Sequence, residues 1–357
     1  MVKFIAEAGV NHNGSLDIGY ELIEKAALAG ADIIKFQTFK TNSLVTKNTK
    51  LSEYQVKNVN NINSQYDLLK SLELPYASFR KLADYAKKTK IEFLSTAFDE
   101  FSLQFLINDI GVNKLKISSG DLTNAPFLLM HAQSGLDIIL STGMAKLADV
   151  EAALGVIACG YLNNRKFGFT LNDFDAAYRS IEGQKILHQK VTLLHCTTEY
   201  PAETSSINLR NIITLRDSFH LKTGFSDHSE GITIPIAAAS LGINIIEKHF
   251  TLNKLMPGPD HMASIEPKEL TELIVSIRKV IEAMGSPIKF IQETEIKHLD
   301  KARKTIVAIN DIPFGGIFSV NNISTMRAPY KMSPFEVYNL YGENSKHAYK
   351  SGDVIDE

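Results

Sequence analysis

Residues 33–38 read Ile33-Ile34-Lys35-Phe36-Gln37-Thr38, a β-branched and aromatic run with an ammonium group set inside it. A run of this composition favours a strand. Side chains alternate across a strand, so Ile33, Lys35 and Gln37 share one face while Ile34 and Phe36 share the other. If the apolar face packs on helices, Lys35 and Gln37 turn into the mouth of a barrel. Upstream, Leu16, Tyr20, Ile23 and Ala27 recur at helical spacing. Downstream the same alternation continues to about residue 285, with candidate strands beginning at Phe4, Asp32, Ile91, Lys114, Asp137, Val191, Lys222 and Asn244. The last helix carries Leu270, Leu273, Ile274, Ile277, Ile281 and Met284 and stops at Gly285, where a terminal glycine is expected. Eight such units predict an α/β fold, a closed (β/α)8 TIM barrel whose active site lies at the carboxyl ends of its strands.

Two stretches break the rhythm. Residues 41–75, polar and Asn-rich, read as a long loop over the mouth, a candidate lid; residues 160–189 read as an insertion before the sixth strand. After the barrel domain at 1–285, residues 286–301 read as a polar linker and 302–357 as a small α+β domain, marginal on its own.

Composition narrows the function. The 38 basic and 40 acidic residues are interspersed, which gives no electrostatic footprint for nucleic acid or an anionic membrane. Any anion must therefore be bound locally. Two distant cysteines, Cys159 and Cys196, argue against a disulfide framework and for a reducing, cytoplasmic setting. The start MVKFIAEAGV reads as a first strand rather than a signal peptide, and no apolar run reaches membrane-spanning length.

The strand ends carry the chemistry. Lys35 has a counterpart in Lys116 of KLKISSG, where Ser118, Ser119 and Gly120 supply hydroxyls and backbone N–H groups suited to a phosphate or carboxylate. Ser141 and Ser226 add hydroxyls at two further ends. His228 in FSDHSEG and His249 in IIEKHF end the seventh and eighth strands, and neighbouring strand ends lie only several ångströms apart. A lone histidine is more often a core residue; two at adjacent ends suit a catalytic divalent cation with positions left for substrate and water. Glu7 shares a face with Ile5 and Gly9 and is a candidate for positioning or deprotonating water or a hydroxyl. Asp260 and His261 follow the last strand and could orient a substrate hydroxyl or support the cation's ligands. The other histidines, notably His12, His131, His188, His195 and His220, read as structural or solvated, with a lumenal position as the alternative for His195.

The segments AEAGVNHNGS, IKFQTF, FLSTAFD, LKISSGD, ILSTGMA, LLHCTTEYP, GFSDHSEGI, IEKHFTL and GPDHMASIEP, in that order, resemble the sialic acid synthase family, which includes N-acetylneuraminate, legionaminate and pseudaminate synthases. The resemblance spans nearly the whole chain. It implies a barrel followed by an antifreeze-like (SAF) domain, in a domain-swapped homodimer. It implies a metal-dependent transferase that condenses phosphoenolpyruvate with an N-acetylated amino sugar and releases phosphate by C–O cleavage, with no lysine imine. His228 and His249 fall on the metal-ligand positions, with Mn²⁺ the first expectation and Mg²⁺ or Co²⁺ the alternatives. Lys35, Thr96, Lys116, Ser119, Ser141 and Ser226 fall where the family binds phosphoenolpyruvate. Glu7, Gln37, Asp121, Tyr200 and Asp260 fall near the sugar, and Arg327 matches the arginine that the SAF domain offers to the neighbouring subunit. Three stretches depart from the family's habit: Ala97 follows Ser95-Thr96 in place of proline, Asp121 stands where glutamate is usual, and Arg327-Ala328-Pro329-Tyr330-Lys331-Met332 replaces an RPG-x-G-I stretch.

N-acetylmannosamine is the acceptor expected first, with 2,4-diacetamido-2,4,6-trideoxymannose as the alternative within the same chemistry. Two more distant readings are a Schiff-base aldolase using Lys35 or Lys116 and a silent sugar-binding barrel.

Overall fold

The computed structural model describes every residue except Met1, Asn60, Asn61, Asn164 and Lys166, with the backbone alone at Glu53, Lys57 and Asp300. The chain divides into two compact units, Met1–Gly285 and Ser286–Glu357.

Eight parallel strands close the first unit into a barrel: β1 (Lys3–Gly9), β2 (Ile33–Thr38), β3 (Glu92–Ala97), β4 (Lys114–Ile117), β5 (Asp137–Ser141), β6 (Val191–Cys196), β7 (Lys222–Asp227) and β8 (Ile245–His249), with β8 pairing back on β1. The alternation read from residues 33–38 holds around the ring. Ile5, Ile33, Leu94, Ile139, Leu194 and Ile245 meet in the lumen as one apolar layer. The opposite parity, including Ala6, Ile34, Phe36, Phe225 and Ile246, packs outward under the helices. Each fully buried side chain of that size contributes about 1.5–3 kcal/mol, so the parity of every strand is fixed.

The helices begin and end where local chemistry dictates. The first, Leu16–Ala29, is capped by Ser15, whose hydroxyl accepts from the Ile18 N–H, and is closed by Gly30 at φ 86°. The region 41–75 is not a plain loop. It contains three short helices, Thr41–Leu44, Glu53–Asn58 and Gln65–Leu72, whose apolar residues Leu68 and Leu72 pack with Val10 and Phe39 of the barrel. The region 160–189 is likewise largely helical: a helix from Leu147 runs on to Leu162, and Leu171–Arg179 and Ile181–Lys190 follow.

The second unit contains two single-turn helices, Glu293–Ile296 and Leu299–Ala302, within the stretch expected as a linker. Its antiparallel pair is β9 (Lys304–Ala308) and β10 (Ile323–Arg327), over a core of Ile306, Ala308, Ile312, Phe318, Ile323 and Ile355.

Candidate active site

The polar site follows from the same two-residue period. Two positions beyond the apolar lumenal layer come Glu7, Lys35, Thr96, Ser141, Cys196 and Glu247, and Lys116 and Ser226 join them from β4 and β7. Two positions further come Gly9, Gln37, Thr198, His228 and His249. All of these except Gly9 line a cavity of about 430 Å³ at the carboxyl ends of the strands.

Charge in the lower tier is nearly balanced. Lys35 Nζ lies 2.8 Å from Glu7 Oε2 and 3.5 Å from Glu247 Oε2, and it donates to Thr96 Oγ1 at 3.2 Å. Lys116 Nζ lies 3.6 Å from Glu247 Oε1 and donates to Ser141 Oγ at 2.8 Å. Glu247 accepts from Ser226 Oγ at 2.8 Å. It therefore bridges both ammonium groups, a role that the sequence reading did not assign. Burial opposes the Glu247 carboxylate, but Lys116 and Lys35 overcome it and bring its pKa down to about 2. Glu7 has the opposite balance: burial, reinforced by Glu247, outweighs Lys35 and raises it to about 7. Burial works against charge on Lys35, yet Glu247 and Glu7 raise its pKa above the ordinary lysine value. Lys116, penalised by burial and by Lys35, falls below that value. Two ammonium groups beside a ring of hydroxyls make a site for a small dianion.

The upper tier holds the imidazoles. The His228 and His249 rings stand 5.4 Å apart, and the Tyr200 ring lies tilted 4.1 Å from that of His228. His228 donates its Nδ1–H to the Thr197 carbonyl at 2.7 Å, which turns Nε2 toward the cavity as a lone-pair donor. His249 Nδ1 is buried without a hydrogen-bond partner and has Asp260 Oδ2 at 4.0 Å. Burial and the neighbouring His228 push the His249 pKa well below the usual value, which favours the neutral ring that a metal requires. Burial raises Asp260 to about 6. Two imidazoles bound to one cation through nitrogens at about 2.1 Å have ring centres roughly 5–6 Å apart, so the pair fits a shared divalent cation. Among the described residues no three His, Cys, Asp or Glu side chains converge as a ready-made metal site. Two protein ligands leave the remaining positions to substrate and water.

Gly9 permits this crowding. At φ 52°, a Cβ there would lie 3.2 Å from Gln37 Nε2 and 3.3 Å from Glu7 Oε1. Gln37 donates to Glu7 Oε1 at 3.2 Å. On the β4 side, Ser119 Oγ accepts from the Gly143 N–H at 2.9 Å, and Asp121 accepts from Ser118 Oγ at 2.8 Å. The lid helices reach over the mouth: the Tyr54 and Tyr200 rings lie 5.1 Å apart, and Asn58 Nδ2 donates to the Pro259 carbonyl at 2.7 Å.

Glu7, Lys35, Gln37, Thr96, Lys116, Ser119, Ser141, Tyr200, Ser226, His228 and His249 thus line one cavity, while Asp121 and Asp260 line an adjoining chamber. Arg327 is exposed at the end of β10 in the second unit. His195 is structural, as first read, and does not take the alternative lumenal position. Leu194 and Cys196 face the lumen, so His195 faces outward; it stacks on Phe225 and bonds the Ile207 carbonyl at 2.6 Å. His261 bridges Thr251 Oγ1 at 2.6 Å and Asn13 Oδ1 at 3.0 Å and acts as a structural brace. Glu247 was legible after all: it shares strand parity with His249.

The NeuB family profile matches residues 22–289. The chain belongs to the NeuB family. Among its relatives, the N,N'-diacetyllegionaminic acid synthase of Campylobacter jejuni is 42% identical over 99% of this chain and 98% of its own, and that of Legionella pneumophila is 38% identical over 98% and 92%. The human N-acetylneuraminate-9-phosphate synthase is 31% identical over 99% and 91%. Of solved structures, the N-acetylneuraminic acid synthetase of Leptospira borgpetersenii, in complex with citrate, superposes with a TM-score of 0.68 at 32% identity over 84% of this chain and 92% of that one. This NeuB-family protein is a nonulosonic acid synthase, a transferase-type enzyme that uses phosphoenolpyruvate, and enzymes of the family are metal-dependent. Among its described residues, no helix is long and apolar enough to cross a membrane.

Proposed function

We propose that the enzyme condenses phosphoenolpyruvate with 2,4-diacetamido-2,4,6-trideoxymannose to give N,N'-diacetyllegionaminic acid, reversing the order of acceptors expected from sequence. The observation that carries this is the higher identity to the two legionaminic acid synthases, 42% and 38%, against 31% to the human N-acetylneuraminate-9-phosphate synthase, all over nearly the full chain.

In this reading Lys35 and Lys116 hold the phosphate and carboxylate of the enol ester, with Thr96, Ser119, Ser141 and Ser226 supplying hydroxyl contacts. The ammonium groups stabilise charge as it shifts in the transition state. His228 and His249 would hold a divalent cation, Mn²⁺ by preference, which when bound would supply Lewis-acid polarisation of the acceptor's aldehyde. C3 of phosphoenolpyruvate then forms a bond to the aldehyde carbon, water adds at C2, and phosphate leaves with C–O cleavage. Glu7, with its pKa raised to about 7, is suited to pass a proton to or from water at that stage. Gln37, Asp121, Tyr200 and Asp260 orient the sugar. The same reading includes a cytoplasmic homodimer, an SAF domain over residues 302–357 and a sugar-side role for Arg327.

The test is coupled phosphate release with Mn²⁺-loaded enzyme and a panel of acceptors. We expect the diacetamido sugar to exceed N-acetylmannosamine in kcat/KM; the reverse order rejects the acceptor assignment. Sedimentation velocity tests the dimer, and Arg327→Ala is expected to raise the sugar KM with little effect on that for phosphoenolpyruvate.

A further inference from the structure

Overlapping the catalytic cavity lies a second chamber of about 480 Å³, which shares with it, among others, Gln37, Tyr200 and His249 of the barrel and Tyr54, Gln55 and Gln65 of the lid. Its outer wall differs in chemistry from everything beneath it. The lid contributes Leu44, Val45 and Leu69, and the barrel contributes Val10, Phe39 and Phe98. Leu44, Val45 and Leu69 are only half-buried, so their methyl groups have free surface to offer an occupant. Polar groups line the rest of the chamber, among them Gln55 and Gln65 on the lid and Asp121 and Asp260 nearer the site.

An acceptor whose aldehyde lies at His249 must place its other carbons somewhere above the lower tier. Five C–C bonds of about 1.5 Å carry the far carbon about 6 Å from the aldehyde, which is the scale of this chamber. An apolar wall there discriminates between sugars. It gains dispersion and burial from methyl groups, whereas an added hydroxyl facing it loses water without gaining a partner.

We propose that the lid-walled chamber reads the far end of the acceptor, with Leu44, Val45 and Leu69 packing on the C6 methyl and the second acetamido methyl, and Gln65 meeting the amide. This rests on the diacetamido acceptor proposed above. It makes the lid a specificity element as well as a cover.

Steady-state kinetics with two acceptors, the diacetamido trideoxy sugar and N-acetylmannosamine, test it in the wild type, Val45→Thr and Leu69→Asn. Val45→Thr keeps the side-chain shape and exchanges one methyl for a hydroxyl. We expect kcat/KM for the diacetamido sugar to fall about 10-fold or more, with no comparable fall for N-acetylmannosamine and with the phosphoenolpyruvate KM held. Equal losses with both acceptors, or no change with either, overturn the assignment. A measurement on the wild type alone guards against misfolded variants: adding a 6-hydroxyl to the diacetamido acceptor should lower kcat/KM by about 10-fold or more, and indifference to it also overturns the assignment. If the wild type turns over N-acetylmannosamine but not the diacetamido sugar, the acceptor assignment itself falls, and this inference with it. If it uses the diacetamido sugar and the ratios stay flat, only the chamber's role falls.

Discussion

Lys248 Nζ donates to Asp227 Oδ2 at 2.5 Å and to the Ser229 carbonyl at 2.7 Å, and Lys248 and Asp227 immediately precede His249 and His228 in the chain. Both are fully buried. Because neighbours on a strand face opposite ways, the pair locks β7 to β8 behind the sheet while the imidazoles meet in front of it. Lys248→Met removes the counter-ion of Asp227 and leaves it only the Ser229 N–H, and we expect a loss of about 3–5 kcal/mol in stability by urea denaturation. Lys248→Met combined with Asp227→Leu should recover much of that stability yet bind Mn²⁺ about 10- to 100-fold more weakly than the wild type. Unchanged metal affinity in the stable double variant would show that the pair serves the fold alone.

His249→Ala and His228→Ala are each expected to abolish turnover and to weaken Mn²⁺ binding, read by calorimetry, by more than about 100-fold, with circular dichroism unchanged. Retention of near-normal activity by either variant removes that residue from the metal site. Treatment with EDTA should silence the wild type, and Mn²⁺ should restore it.

Glu247 is the shared counter-ion of Lys35 and Lys116. Glu247→Gln keeps the side-chain shape but leaves two ammonium groups facing one another. We expect kcat/KM for phosphoenolpyruvate to drop about 10- to 100-fold, the effect of losing roughly 1.4–2.7 kcal/mol of transition-state stabilisation. Unaltered phosphoenolpyruvate kinetics would contradict the bridging role.

Glu73 joins the two ends of the lid segment at its foot. It accepts from the Thr41 N–H at 3.1 Å and the Thr41 hydroxyl at 2.8 Å, and it pairs with Lys40 and Lys70. Burial opposes its charge, but the Thr41 bonds and the two lysines outweigh that and depress its pKa to about 2, from 4.5. A depressed carboxylate stabilises the folded state above its unfolded pKa, and this contribution disappears as pH falls through the folded value. Glu73→Ala should therefore cost about 1–2 kcal/mol near neutral pH. The gap from wild type should shrink as pH falls from about 4.5 toward about 2. A gap independent of pH in that window would mean that packing, not charge, fixes the lid.

The fold was legible because its signal is periodic. Strands expected from Phe4, Asp32, Ile91 and Asn244 begin within one residue of those positions, and those from Lys114, Asp137, Val191 and Lys222 begin at them. The lid helices were not legible. Residues such as Leu44, Leu68 and Leu72 are too sparse for a helical stripe and gain their order by packing on Val10 and Phe39. Within the site, one parity argument separates success from failure. It sends Lys35 and Gln37 inward from Ile33; applied to Leu194-His195-Cys196 it turns His195 outward, and applied to Glu247-Lys248-His249 it brings Glu247 in. The acceptor-side chamber lay beyond such reasoning, since its wall joins residues that are far apart in sequence and follow no common period.

The isoleucine and leucine floor of the lumen governs traffic as well as packing. With that end plugged, the barrel has a single doorway, and the ammonium groups lie deeper in it than the imidazoles. On the proposed reading, the enolphosphate has to enter ahead of the sugar, and the new nonulosonic acid has to clear the vestibule before inorganic phosphate escapes from beneath it.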